Sequence, residues 1–265
     1  MAFILVIENL ESMIPQICNS LYNVGDLLAP IITEKITNKE VIKVFKSIPK
    51  EYKEERILAG LGSFLGYYGD YPISVWGTGF EPGYLNRIAR LNPGSRQDWE
   101  YHAVRGHLTK TVLGIKNDVV IGDAALVMPV FYNPTVLNEN PKRYFRHYSN
   151  NSNPNITNEF IIHSTRMDPL KAIDLITNSQ FVFTEALHVA ILAQAYGVPW
   201  AWSLNKHKRA MFKWFDWFSS LSIASKWFHP QNSAQAEMWF ENNYRSMQKI
   251  NPNDLLNAFP LEFLD

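Results

Sequence analysis

The sequence predicts an α/β fold. Short apolar runs rich in β-branched residues alternate with segments of helical periodicity. Several of these runs end on small or polar residues: Gly60, Gly77, Gly122 and Thr184. In open parallel sheets the ligand crevice lies beyond the carboxyl ends of the strands, so these ends are where function is sought. With 265 residues, and about 150 per domain as a guide, the chain makes one large domain or two small ones. The turn-rich stretch 133–141 sets the expected boundary, giving residues 1–138 and 139–265.

In chain order, strands are expected at 2–7, 41–45, 56–59, 73–76, 118–121, 144–148, 160–162 and 181–183. The first run lacks a basic leader and meets Glu8 at once, so it reads as a buried strand and not a signal peptide. Asn23-Val24-Gly25-Asp26 opens a helix carrying Leu27, Leu28, Ile31 and Ile32, with Asp26 as its expected N-cap. A second helix follows Val104-Arg105-Gly106 and carries Leu108 and Val112; taken alone, Arg105 reads as a surface arginine. The polar run 149–158 is the clearest loop. The best local unit is 181–199: a buried strand, Thr184 as N-cap, Glu185 in the first turn, then Leu187, Ala190, Ile191 and Ala195 on an apolar face. Gly197 and Pro199 stop that helix. This unit places His188 in a first helical turn, where backbone N–H groups favour an anion.

Composition excludes several classes. An apolar fraction of 46% rules out a disordered or collagen-like chain. Zero formal charge argues against nucleic-acid binding by bulk electrostatics. The lone Cys18 has no internal disulfide partner, which fits a reducing compartment. No apolar stretch approaches the roughly 20 residues that cross a bilayer, so a cytoplasmic location, soluble or peripherally attached, is expected. The segment 206–218 sets Lys206, His207, Lys208 and Arg209 before an aromatic-rich helix, and a peripheral contact of Lys206–Arg209 with anionic membrane is one reading of it.

The glycines from Gly60 and from Gly77 miss the dinucleotide spacing, each with its third glycine one residue late and no acid about 20 residues on. They read as close-approach glycines at strand ends. His102 and His107 have no third ligand near in sequence, so no metal is expected, and neither a P-loop nor a serine elbow occurs.

Five ordered motifs together resemble one family. They are Asn23-Val24-Gly25-Asp26-Leu27-Leu28, Val75-Trp76-Gly77-Thr78-Gly79, Val104-Arg105-Gly106 with Thr109, Gly122-Asp123-Ala124-Ala125-Leu126 through Pro129, and Leu187-His188-Val189-Ala190-Ile191 through Pro199. Their order is similar to that of the polysaccharide pyruvyltransferases. Thr184 to His188 and Phe212 to Trp217 are similar to the exopolysaccharide branch, including the succinoglycan type. Val189 replaces the family's usual glycine, Ala186 stands where some members carry an arginine, and Arg146 replaces the proline before His147. The stretch between His147 and Phe160 is also shorter than usual.

The resemblance implies a GT-B-like pair of Rossmann-like domains facing across a cleft, the second one trimmed. It implies transfer of the enolpyruvyl group of phosphoenolpyruvate, the donor substrate, to a sugar of a surface polysaccharide or its lipid-linked repeat unit, with no separate cofactor. His188, Glu185 and Asp26 are then the expected catalytic groups. Arg105, Asn23, Gly77, Thr78, His147 and Leu187 are the expected substrate contacts. A planar guanidinium suits a donor carrying carboxylate and phosphate, and histidine suits proton delivery. Two rival readings are a nucleotide-sugar glycosyltransferase on the same fold and a catalytically inactive scaffold member, the latter motivated by Val189.

Overall fold

The computed structural model describes residues 13–18, 23–44, 55–65, 71–81, 98–150, 159–203, 211–224 and 230–264. Two parallel sheets organise it. The first contains β1 (Ile14–Ile17), β2 (Val41–Val44), β3 (Ile57–Ala59), β4 (Ser63–Leu65), β5 (Ile73–Phe80), β6 (Trp99–Val104) and β7 (Val120–Ile121). Its order is β2-β1-β3-β5-β6-β7, with β4 pairing the carboxyl end of β5. The second contains β8 (Lys142–Arg146), β9 (Phe160–Ser164), β10 (Phe181–Thr184) and β11 (Trp200–Trp202), in the order β11-β10-β8-β9. Every recorded pairing is parallel, which requires crossover connections and buries both faces.

The expected strands from 41 onward therefore appear, with shifted ends: β5 runs four residues further than 73–76, and β8 begins and ends two residues earlier than 144–148. The expected strand 2–7 lies outside the described residues. Four strands went unread. β1 contains a proline, β4 lies among the glycines, β11 is short, and β6 carries three consecutive exposed or half-buried residues, Glu100, Tyr101 and His102. The expected loop at 133–141 is irregular as read, and residues 151–158 of the polar run lie outside the described residues.

The helices are α1 (Val24–Thr37), α2 (His107–Leu113), α3 (Met128–Phe131), α4 (Pro169–Thr177), α5 (Leu187–Ala195), α6 (Met211–Ser220), α7 (Ser233–Tyr244) and α8 (Pro252–Asn257). Asn23, not Asp26, occupies the N-cap position of α1, and Asp26 is buried in its first turn. Helix α5 begins two residues later than Thr184 capping requires. Its N-cap is Ala186, and the Thr184 hydroxyl accepts from the Ala186 N–H at 2.9 Å, so Glu185 precedes the helix.

One apolar cluster joins α1, the 3-10 turn Ala124–Val127, the second sheet and α5 to α8; a second cluster fills the other face of the first sheet. In the first cluster Trp200, Trp202, Trp214 and Phe218 pack ring against ring where α6 covers β11. Val189 lies wholly within this cluster.

In each sheet the chain departs in opposite directions from neighbouring strands. From β1 it goes to β2 on one side, while β3 lies on the other; from β8 it goes to β9 on one side, with β10 on the other. Helix α1 follows β1 and α5 follows β10, so both helix N-termini stand at these switch points.

The C-terminal segment returns under the first sheet. Trp76 Nε1 donates to the Leu255 carbonyl at 2.7 Å, Phe259 meets the Trp76 ring edge-on at 5.0 Å, and the Ser74 hydroxyl donates to Glu262. Replacing Phe259, which is 3% exposed, with alanine is expected to cost about 3–5 kcal/mol of stability. Urea denaturation measures this, and an unchanged midpoint would show that the segment does not staple the sheet.

Candidate active site

The N-termini of α1 and α5 meet. A Cβ on Gly25 would land on the Nδ1 atom of His188, so only glycine allows the ring to lie against the first turn of α1. The other ring nitrogen, Nε2, points toward Asp123, with 3.9 Å to Oδ2. That is too long for a hydrogen bond, and neither atom has a partner among the described residues. Asp123 is wholly buried and uses its other oxygen, Oδ1, to accept from the Ala125 N–H at 3.0 Å. Three motifs distant in sequence therefore converge on one imidazole.

Behind this pair lies a buried ion pair. Arg105 Nε donates to Asp216 Oδ2 at 3.0 Å, and both side chains are completely shielded from solvent. Asp216 also accepts from the Thr109 N–H and hydroxyl at 2.8 and 2.7 Å. Arg105 Nη1 donates to the Gly62 carbonyl and the Ser63 hydroxyl at 3.1 and 2.7 Å. Its Nη2 has no partner among the described residues. The surface-arginine reading is thus corrected: Arg105 is a core cation. A Cβ on Gly79 would strike this guanidinium, which explains the last glycine of that motif.

Lys213 stands one turn before Asp216 on the same helix, and its charge interacts with those of Arg105, Glu81 and Asp26. Burial and the Arg105 charge lower its pKa to about 8, against the opposing pull of Glu81 and Asp26. Burial raises Asp26 to about 6, with the Asn23 amide (3.4 Å) and Lys213 partly restoring its acidity. Burial raises Asp123 to about 7, while Arg105 opposes that shift. Burial, then Arg105 and Lys213, lower His188 to about 3. At neutral pH His188 is a neutral imidazole flanked by cations.

The remaining expected residues are placed as follows. Asn23 caps the geometry of α1 without a side-chain cap bond. Gly77 takes a positive φ of 79° where β5 bulges, against the Ala124 backbone. Thr78 is buried and donates to the Gly62 carbonyl at 3.0 Å. Leu187 is buried as the first residue of α5.

Glu185 and His147 belong to the ends of β10 and β8. Glu185 accepts from the Tyr144 hydroxyl at 2.9 Å, from the His147 N–H at 3.0 Å and from Asn150 Nδ2 at 2.7 and 3.0 Å. With both oxygens engaged, this carboxylate fastens neighbouring strand ends. The His147 ring lies 2.8 Å from the Ser149 hydroxyl through Nδ1.

The residues that sequence reasoning left without a role are Asp123, Lys213 and Asp216. Their signal was present: a lysine and an aspartate in an otherwise aromatic helix, Phe212 to Trp217, mark charges that need buried partners.

Glu100, His102 and Glu262 bring potential metal ligands within 4.8 Å of one another. Glu100 is already paired with Arg56 at 2.8 Å and Glu262 with Ser74, so the carboxylates have donors without an ion. The Lys206–Arg209 cluster lies outside the described residues. Among the described residues, no helix is long and apolar enough to cross a membrane.

A profile of the polysaccharide pyruvyl transferase family matches residues 23–207. Over 184 residues the chain is 26% identical to the succinoglycan biosynthesis protein ExoV of Rhizobium meliloti (strain 1021), covering 66% of this chain and 56% of that protein. The chain thus spans little more than half the length of that relative. Two solved structures superpose with a TM-score of 0.47. One is an uncharacterized protein of Klebsiella pneumoniae (15% identity, 84% of this chain and 92% of that chain). The other is the UDP-GlcNAc 2-epimerase of Methanocaldococcus jannaschii (10% identity, 90% and 94%). Likenesses this distant identify no shared chemistry.

The contact between Gly25 and His188 generates a prediction. Alanine is a better helix former than glycine by about 1 kcal/mol, so Gly25→Ala is expected to keep α1 helical while displacing the His188 ring. Circular dichroism should match the parent and the His188 imidazole resonances should move. Unmoved resonances would contradict the packing described.

Proposed function

The chain belongs to the polysaccharide pyruvyl transferase family, and we propose that it transfers the enolpyruvyl group of phosphoenolpyruvate to a saccharide, closing a cyclic pyruvate ketal. The acceptor on this reading is a sugar of a surface polysaccharide or its lipid-linked repeat unit. The similarity to a succinoglycan biosynthesis protein supports that class of acceptor.

One observation carries the reading. Polar groups with no partner among the described residues gather where two helix N-termini meet: His188 Nε2, Asp123 Oδ2 and Arg105 Nη2, with the Lys213 ammonium beside them. Two helix N-termini and two cations make a site for a strongly anionic small molecule. Phosphoenolpyruvate presents a carboxylate and a phosphate, and its methylene carbon must receive a proton before a hydroxyl can attack. In this reading Lys213, half-buried on α6, contacts the donor anion directly. Arg105 supplies positive potential from behind. The first turns of α1 and α5 orient the donor, and His188 faces its reacting end. Asp26, mostly ionised at neutral pH, is placed to accept a sugar hydroxyl proton.

Incubation with phosphoenolpyruvate and saccharide should release phosphate only when both are present, and the saccharide should gain the mass of a pyruvate ketal. Phosphoenolpyruvate alone should raise the melting temperature. A rise with a nucleotide sugar and none with phosphoenolpyruvate would replace this reading with the glycosyltransferase one. Lys213→Met is expected to weaken donor affinity by about ten- to hundredfold, the loss of one charge-assisted contact, while the fold is kept. Unchanged affinity would remove Lys213 from the donor site.

A further inference from the structure

The reaction needs a proton, yet the imidazole best placed to deliver it is held neutral. Its surroundings explain why. His188 is 11% exposed, and Arg105 at the end of β6 and Lys213 on α6 both oppose a positive ring. The 3.9 Å gap to Asp123 Oδ2 also shows no closed ion pair. An ionised Asp123 would leave a charged oxygen in the core with no donor, whereas the carboxylic acid needs only an acceptor for its hydrogen. The imidazole Nε2, also without a partner among the described residues and 3.9 Å away, serves as that acceptor once the two close to hydrogen-bond distance, and its second nitrogen, Nδ1, lies against Gly25, where the helix N-termini meet.

We propose that Asp123 stores the proton of the reaction and that His188 relays it, receiving at Nε2 and giving from Nδ1. This rests on the pyruvyl-transfer reading above. In the relay the Asp123 Oδ2–H bond breaks as a bond to Nε2 forms, and the Nδ1 hydrogen forms the new C–H bond at the donor's methylene carbon. The enol π pair supplies the electrons of that bond, leaving a cationic centre next to oxygen. The first sugar hydroxyl adds there, and its proton returns through Nδ1 and Nε2 to Asp123. The C–O bond to phosphate then breaks, its electron pair leaving with the phosphate. The second hydroxyl closes the ring, with Asp26 accepting its proton and passing it to the released phosphate, which departs as hydrogenphosphate. Atoms and charge balance, and the ring carries no lasting charge. Asp123 acts through His188 and is in that sense a positioning residue.

The groups facing Asp123 fix the direction of the pH dependence. Burial dominates and raises its pKa to about 7; Arg105 from β6 and the Ala125 N–H oppose this, Asp216 from α6 adds to it, and His188 from α5 is neutral. Activity should therefore fall as pH rises through about 7. Because the folded pKa lies above the unfolded one, the stability tied to this proton is full below about pH 4 and lost as pH rises through 7.

Asp123→Asn tests this, since asparagine copies the shape of the neutral acid but has no proton to give. The variant should bind phosphoenolpyruvate within about twofold of the parent, turn over about a hundredfold or more slowly, and lose the alkaline limb of the pH profile. It should also melt above the parent at pH 8, with the gap closing toward pH 4. In the parent, an aspartate 13C carboxyl resonance should titrate near pH 7 and be missing from the variant. Turnover within threefold of the parent, or an Asp123 carboxyl that titrates near 4, would overturn the proposal even if the variant folds poorly. Failure of the parent to bind phosphoenolpyruvate would overturn the pyruvyl-transfer reading, and the carboxyl titration would still stand as a separate result.

Discussion

The ion pair between Arg105 and Asp216 is the constraint on which the rest of the site depends. Two opposite charges with zero exposure are held by further hydrogen bonds: Thr109 gives Asp216 two, and the Gly62 carbonyl and Ser63 hydroxyl take hydrogens from Arg105, which leaves Nη2 alone without a partner among the described residues. Breaking such a pair by removing one partner typically costs about 3–5 kcal/mol. The pair therefore fixes α6 against the ends of β4 and β6. Lys213, one turn away, is fixed with it. A helix rich in tryptophan and phenylalanine, which would otherwise pack wherever apolar area is buried, is held in one register.

That register sets the electrostatics. Arg105 and Lys213 set two cations beside the meeting point of α1 and α5, and the neighbouring groups respond to them and to burial. His188 is neutral, the Lys213 pKa is lowered to about 8, and burial raises that of Asp123 to about 7. A bound anion with a carboxylate and a phosphate would meet the Lys213 ammonium and the N–H groups of the two helix N-termini. A site built this way is organised before its substrate arrives, which is the arrangement that lowers reorganisation during the chemical step.

Much of the fold was legible in the residues. Ile57 to Ala59 and Phe181 to Thr184 are dense in apolar residues because they are central strands buried along their whole length, and Val41 to Val44, at the sheet edge, is buried at both its ends. β6 was not legible, since exposed Glu100 and half-buried Tyr101 and His102 interrupt its apolar run. β1 hid behind Pro15, a residue that speaks against an interior strand, yet β1 lies between β2 and β3. At the site, His188 could be placed at a strand end from the strand–turn–helix signature, and Gly25 lay inside a quoted motif. The contact between them could not be read, because 163 positions separate the two and spacing carries no information over such a span. The same holds for Arg105 and Asp216, 111 positions apart. Thr184 was misplaced as a cap because its hydroxyl does bond a helix-entry N–H, but that of Ala186, one residue before the helix proper.

The most direct test of the central claim is a crystal structure with phosphoenolpyruvate bound. The account predicts the donor's anionic groups at the meeting of α1 and α5, with Lys213 Nζ in hydrogen-bond distance and the methylene carbon facing His188, while the Arg105–Asp216 pair stays closed behind them. Density for the donor elsewhere on the protein, or an Arg105 that leaves Asp216 to hold it, would contradict the account.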